Sequence, residues 1–169
     1  MFITQSPEEI RQSLTFNANA SIVAIRLAEA RVWGISPEDL APEMTVETGT
    51  RFHAAARRRI GETVTFAVDF RFAARRSENG AKPQDLFKVY CKLEAQYSIK
   101  PDFEPTEEQL KAFHGGNVIF NCWPFLREFV QSTAARMRLP PPPIPLLRLT
   151  PPTKKAVSRR PTEPVAAQK

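Results

Sequence analysis

The sequence predicts an α+β domain, a four-stranded antiparallel sheet with its helices collected on one face. Two long stretches of strict alternation predict the sheet, and capping signals with a helical apolar stripe predict the helices. From Thr63 the chain sets Val64, Phe66, Val68, Phe70 and Phe72 against Thr63, Thr65, Ala67, Asp69 and Arg71. From Leu86 it sets Phe87, Val89, Cys91, Leu93, Ala95, Tyr97 and Ile99 against Lys88, Tyr90, Lys92, Glu94, Gln96 and Ser98. A period of two places each set on one side of a pleated strand, whereas a helix would spread it around its circumference. One apolar side and one polar side is the pattern of half-buried antiparallel strands.

The remaining elements follow in chain order. Ser6-Pro7-Glu8-Glu9 is a capping box with Pro at the first helical position, and Ile10 and Leu14 supply the apolar face of a short helix. Ile22 to Trp33 carries Val23, Ile25 and Leu27 at strand spacing. Ser36-Pro37-Glu38-Asp39 repeats the helix-start signal but meets Pro42, which allows about one turn. Val46, Thr48, Thr50, Phe52, Ala54 and Ala56 alternate up to Arg57-Arg58-Arg59 and a turn at Gly61. Both of these strand segments hold Ala-rich stretches that leave a helix open. Asn79-Gly80, inside a polar connector, joins the two strongest strands as a hairpin with a long loop.

Thr106-Glu107-Glu108-Gln109 opens a second short helix through Leu110 and Phe113, with a stop expected at Gly115-Gly116. A longer helix is expected from about Pro124 to Arg138. Its stripe of Phe125, Leu126, Phe129, Val130, Thr133 and Met137 recurs at steps of one, three and four. Leu139 to Pro145 reads as polyproline II, with Ile144, Leu146, Leu147 and Leu149 able to dock. Residues 1–149 thus form the domain. Residues 150–169 read as a disordered basic tail, with Lys154, Lys155, Arg159, Arg160 and Lys169 against Glu163.

Composition narrows the function. The 169 residues carry a formal charge of +6, most of it in the tail, so the folded part is nearly neutral. The first nine residues show no basic region running into a long apolar one, so no secretory leader is expected. No apolar run reaches membrane-spanning length. Cys91 and Cys122 do not make a disulfide framework, and free thiols fit a reducing cytoplasm.

Four segments together resemble the SecB-type protein-export chaperones. Asn121-Cys122-Trp123-Pro124-Phe125-Leu126-Arg127-Glu128-Phe129 is similar to the aromatic-Pro-aromatic-x-Arg-Glu signature that opens that family's long helix. Leu139-Pro140-Pro141-Pro142-Pro143-Ile144-Pro145-Leu146-Leu147 is similar to its proline-and-leucine strap. The strand Phe87 to Ile99, with Cys91 at its middle, resembles the fourth strand, and Trp33 to Met44 the crossover loop. The resemblance spans roughly Ser21 to Leu149. It implies an ATP-independent holdase without cofactor that keeps unfolded clients in long apolar grooves, and a homotetramer built as a dimer of dimers through the long helices.

On that resemblance the groove residues are Trp33, Ile35, Leu40, Met44, Phe120 and Trp123. Phe125, Leu126, Phe129 and Val130 are either the tetramer seam or intrachain packing. Large apolar patches mark partner sites, and apolar contacts tolerate many client sequences because they are non-directional. Two departures bear on partners. Lys92 stands where the family's docking surface for the SecA motor has a carboxylate after the strand Cys, and Trp33 falls on another acidic position, while Glu29 keeps a third. The family's acidic tail is also replaced by a basic one. Both argue against handover to SecA, and solitary SecB-like chaperones that guard antitoxins of toxin–antitoxin systems are the alternative relatives.

Rival classes are weaker. Arg57-Arg58-Arg59, Arg75-Arg76 and the tail supply non-specific phosphate affinity, but no helix-turn-helix, zinc spacing or RNP-like strand accompanies them. His114-Gly115-Gly116 is similar to a hydrolase oxyanion loop but lacks a Gly-x-Ser-x-Gly elbow. His53 has no ligand cluster arranged for a metal, and no His is positioned to activate either cysteine. An enzyme is not expected.

Overall fold

A computed structural model describes residues 2–40, 45–76 and 84–150. The chain is mixed α+β, and its main sheet is antiparallel with strand order β2-β5-β4-β3. These strands are β2 (Ala20–Gly34), β3 (Val46–Ile60), β4 (Thr63–Arg76) and β5 (Gln84–Ile99). β4 and β5 lie in the middle because their inward rows are the most apolar in the chain. Val64, Phe66, Val68, Phe70 and Phe72 on β4 are buried, as is every inward residue of β5 from Phe87 to Ile99. The Asn79-Gly80 loop joining these strands lies outside the described residues. β3 continues through Arg57-Arg58-Arg59 to Ile60, with one irregularity between Ala54 and Ala56, and the chain turns at Gly61, whose φ of 55° suits a residue without Cβ. Neither Ala-rich segment turns helical, because pairing along almost the whole of β5 and β4 outweighs a weak intrinsic preference.

Expecting a single four-stranded sheet undercounts the strands. β1 (Phe2–Thr4) pairs in parallel with β6 (Arg148–Thr150), forming a second, two-stranded sheet that ties the first residues to the end of the proline strap. Three-residue strands are too short to show alternation, so neither was visible in the sequence. The N-terminal helix α1 (Pro7–Asn17) has the predicted capping box, Ser6 Oγ accepting from Glu9 N and Glu9 accepting from Ser6 N. Its buried residues are Ser13 and Phe16, while Leu14 is exposed. Phe16 wins the core because it meets three rings, Phe66, Phe103 and Phe113, at centroid distances of 4.4 to 6.1 Å.

The largest correction concerns Gly115-Gly116. α2 (Glu107–Phe113) does not stop there; a π-helical turn, His114–Val118, leads directly into α3 (Ile119–Arg136). A wider turn displaces one backbone bond, and the side-chain nitrogen of Gln5 donates to Ala112 O at 2.8 Å. Gly116 is needed for closeness rather than for termination, since a Cβ there would sit 2.5 Å from the Gln5 side chain. α3 consequently begins five residues before Pro124, which lies inside the helix instead of in its first turn. Its buried stripe is Ile119, Cys122, Trp123, Leu126, Val130 and Ala134. The helical layer rests on β4 and β5. The strap then docks through Leu139, Pro142, Ile144 and Leu147, with Leu146 exposed, and Trp123 Nε1 donates to Pro145 O at 3.0 Å.

His114 is the buried titratable group of the π turn. Its ring packs tilted against Phe66, and Nε2 lies 2.8 Å from Ala67 O, beside the irregularity between Ala54 and Ala56 in β3. Burial holds its pKa below the ordinary 6.5, the Ala67 contact opposes this, and Arg57 adds to it. A depressed folded pKa means that the unfolded chain binds the proton more readily, so the stabilisation is present above about pH 6.5 and is lost as pH falls. Thermal unfolding should therefore move to lower temperature below about pH 6.5, and His114→Gln should flatten that dependence. Leu126→Ala, which empties a fully buried site, should cost about 3 kcal/mol in denaturant unfolding.

Candidate functional site

The helical layer is narrower than the sheet and leaves both edge strands partly uncovered, with arginines on β3 and an apolar row on β2. Register with β5 places Ile22 opposite Tyr97, Leu27 opposite Leu93 and Val32 opposite Val89, all on the helix-facing side. Those β5 partners are buried, yet Ile22 is 51% exposed, Leu27 46% and Val32 39%. Two register shifts, after Ile22 and after Leu27, interrupt the pairing along this rim. β2 is also an edge strand, so its outer backbone groups have no strand partner among the described residues. An apolar row beside an unpaired strand edge offers both non-directional and backbone contacts to an extended chain.

The residues singled out in the sequence do not converge on one surface. Trp33 lies on the opposite face of the sheet, paired with Lys88, whose ammonium sits 4.9 Å from the centre of its ring. Ile35 is half-buried and its N–H donates to Leu86 O, while Leu40 packs against the core. Met44 lies outside the described residues. Phe120 is 45% exposed on α3, but Trp123 is 3% exposed and wedged between Phe52 and Phe70. Trp123 is thus a core residue, not an open groove wall. Of the four candidate seam residues, Leu126 and Val130 are fully buried in the chain itself and have no surface left for a partner. Phe129 is partly buried, and Phe125 is 47% exposed. The sequence reading missed the Ile22–Leu27–Val32 row, because the two register shifts break its period.

No protein-family model matches the chain, and no curated protein matches it in sequence. Its fold is similar to that of the SecB-like chaperone Rv1957 of Mycobacterium tuberculosis, solved in complex with a ChAD peptide from the Rv1956 HigA1 antitoxin. The TM-score is 0.69 at 22% identity, over 81% of this chain and 96% of that one. A protein of unknown function from Streptococcus agalactiae matches at a TM-score of 0.36 and 10% identity, over 75% and 97% of the two chains. No helix among the described residues is long and apolar enough to cross a membrane.

The nucleophilic side chains are placed for packing. Cys91 and Cys122 are fully buried, and desolvation pushes both thiols up to about 12, with a smaller push from Asp69 on Cys91 and from Cys91 on Cys122. A thiol that reacts as thiolate needs the opposite shift. Among the described residues no group of three or more His, Cys, Asp and Glu side chains is arranged to hold a metal ion. Both cysteines should therefore resist a thiol reagent at neutral pH in the folded protein and react rapidly once it is unfolded in denaturant, as followed by absorbance.

Proposed function

We propose that this chain is an ATP-independent, SecB-like chaperone that holds unfolded or non-native polypeptides on the uncovered rim of its sheet. The observation that carries the reading is the row Ile22, Leu27 and Val32, exposed on the side where a covering helix would otherwise lie. Phe120, exposed on α3, extends the apolar surface on the helical layer. Similarity of fold to a SecB-like chaperone solved with a peptide supports the same reading. It requires no cofactor and no catalytic step, and the two free thiols suit the cytoplasm.

Magnitudes favour assembly. Covering three half-exposed aliphatic side chains contributes about 1 kcal/mol each. A total of about 3 kcal/mol is weaker than a millimolar affinity. Holding a client then demands several rims acting together, which a homotetramer supplies through avidity. Of the four candidate seam residues on α3, Phe125 and Phe129 are the two with surface left for that seam. The expected mass by light scattering is four times the 19.1 kDa of one chain, reduced in Phe125→Glu/Phe129→Glu. A wild type that stays monomeric contradicts the assembly.

Service to a toxin–antitoxin system is the better-supported role than export. The solved neighbour holds an antitoxin peptide. In this chain Lys92 and Asp69 sit 3.9 Å apart and Arg31 engages Glu29 at 3.0 Å, so the face that would dock SecA offers no free acidic cluster at these positions. The direct test is aggregation of a reduced, chemically unfolded client at one tetramer per client without nucleotide. The wild type should suppress it. Leu27→Asp/Val32→Asp should fold normally, because both side chains are already half-exposed, and should lose most of the suppression. A folded wild type that leaves aggregation unchanged overturns the proposal.

A further inference from the structure

The sheet face turned away from the helices carries a feature that holding apolar segments does not use. Register places Arg31, Tyr90, Arg71 and Arg51 side by side, one on each strand, in a single row across the sheet. The adjacent row is Trp33, Lys88, Ala73 and Gly49. Two small residues on the outer half of that row leave a depression, and a Cβ built on Gly49 would meet nothing within 4 Å. The resulting open cavity of about 570 Å³ is walled by the arginines, Arg75 and Lys88.

Most of these cations are matched. Arg31 pairs with Glu29 at 3.0 Å, and Asp85 takes Arg75 at 2.7 Å and Lys88 at 3.0 Å. Arg51 and Arg71 differ. They stand directly opposite each other on β3 and β4, and neither has an ion pair or side-chain hydrogen bond among the described residues. Like charges directly opposed across strands destabilise a sheet. Among the described residues no carboxylate bonds to either guanidinium, so the complement of this pair is an anion from outside.

We propose that this cavity is a second binding site, separate from the apolar rim, for an acidic polypeptide segment with carboxylates at alternate positions. Two guanidinium forks side by side suit planar carboxylates, which they bind in bidentate fashion. Neighbouring strands are about 4.8 Å apart, so Arg31 lies about 10 Å from Arg71, and alternate side chains of an extended peptide repeat at about 7 Å. Two or three alternating carboxylates therefore span the row. A nucleic acid fits worse. Glu29, Asp69 and Asp85 engage the neighbouring cations and confine the unmatched positive charge to Arg51 and Arg71, a patch too short for a continuous phosphate track. The faces of Trp33 and Tyr90 that could stack bases are covered by Lys88 and by Arg31, at 4.9 and 6.0 Å.

The test is fluorescence anisotropy on the full chain at about 0.15 M salt, with a labelled octapeptide alternating Glu and Ser. A Lys–Ser octapeptide and an oligothymidylate of equal length serve as comparisons. The Glu–Ser peptide should bind best, and Arg51→Gln/Arg71→Gln should weaken it by about tenfold or more. The same variant should unfold at a higher temperature than the wild type, because the unmatched repulsion is gone. A variant with Lys154, Lys155, Arg159 and Arg160 all changed to Gln should retain binding. The site is disproved if the tail variant loses binding while Arg51→Gln/Arg71→Gln keeps it, or if the oligothymidylate binds more tightly. Because aggregation suppression reads the rim and anisotropy reads this face, either can fail without the other.

Discussion

Packing of aromatic rings between the inward rows of β4 and β5 and the helical layer is the interaction on which the rest depends. At one end Phe16, Phe66, Tyr97 and Phe113 meet at centroid separations of 4.4 to 5.9 Å, bringing α1, both central strands and α2 together. At the other end Trp123 rests on Phe52 and Phe70 and holds the strap by one hydrogen bond. Aromatic pairs add about 0.5–1.5 kcal/mol each beyond the area they bury. Two such clusters fix where the helices can lie, and therefore what they leave uncovered.

What they leave uncovered divides into two surfaces of opposite character. On the helical side the rim along β2 keeps Ile22, Leu27 and Val32 in water, a cost that a partner would relieve. On the far side the sheet is polar and carries several ion pairs, with Arg51 and Arg71 opposed and unmatched among the described residues. Each surface carries an unfavourable arrangement, apolar area in water on one and like charge against like on the other. Natural chains keep such local costs mainly where binding repays them. A chaperone whose clients combine apolar stretches with acidic ones would use both.

The central strands were legible because their inward rows, from Val64 to Phe72 and from Phe87 to Ile99, are apolar at every second residue, although Thr65 and Ala67 of β4 are buried as well. Both capping boxes were legible too, each being a local rule satisfied within four residues. Less legible was anything decided by distant contacts. Gly115-Gly116 looks like a helix stop, and only the side chain of Gln5, more than a hundred residues away, shows why it is not. The stripe of α3 was displaced toward its start because the helix begins at Ile119, which could not be read past the apparent glycine break and Pro124. β1 and β6 are short and pair across almost the whole chain length. Trp33 and Lys92 were visible as residues, but that they share the sheet face opposite the rim depends on register with β5, which two bulges in β2 conceal.

Hydrogen exchange of the full-length protein, alone and with a saturating unfolded client, reports on the rim most directly. Client binding on β2 predicts that amides of Ala20–Gly34 slow markedly, while those of β4, already paired on both sides, change little. Unchanged exchange along β2 in the presence of a client shown to be bound would contradict the account.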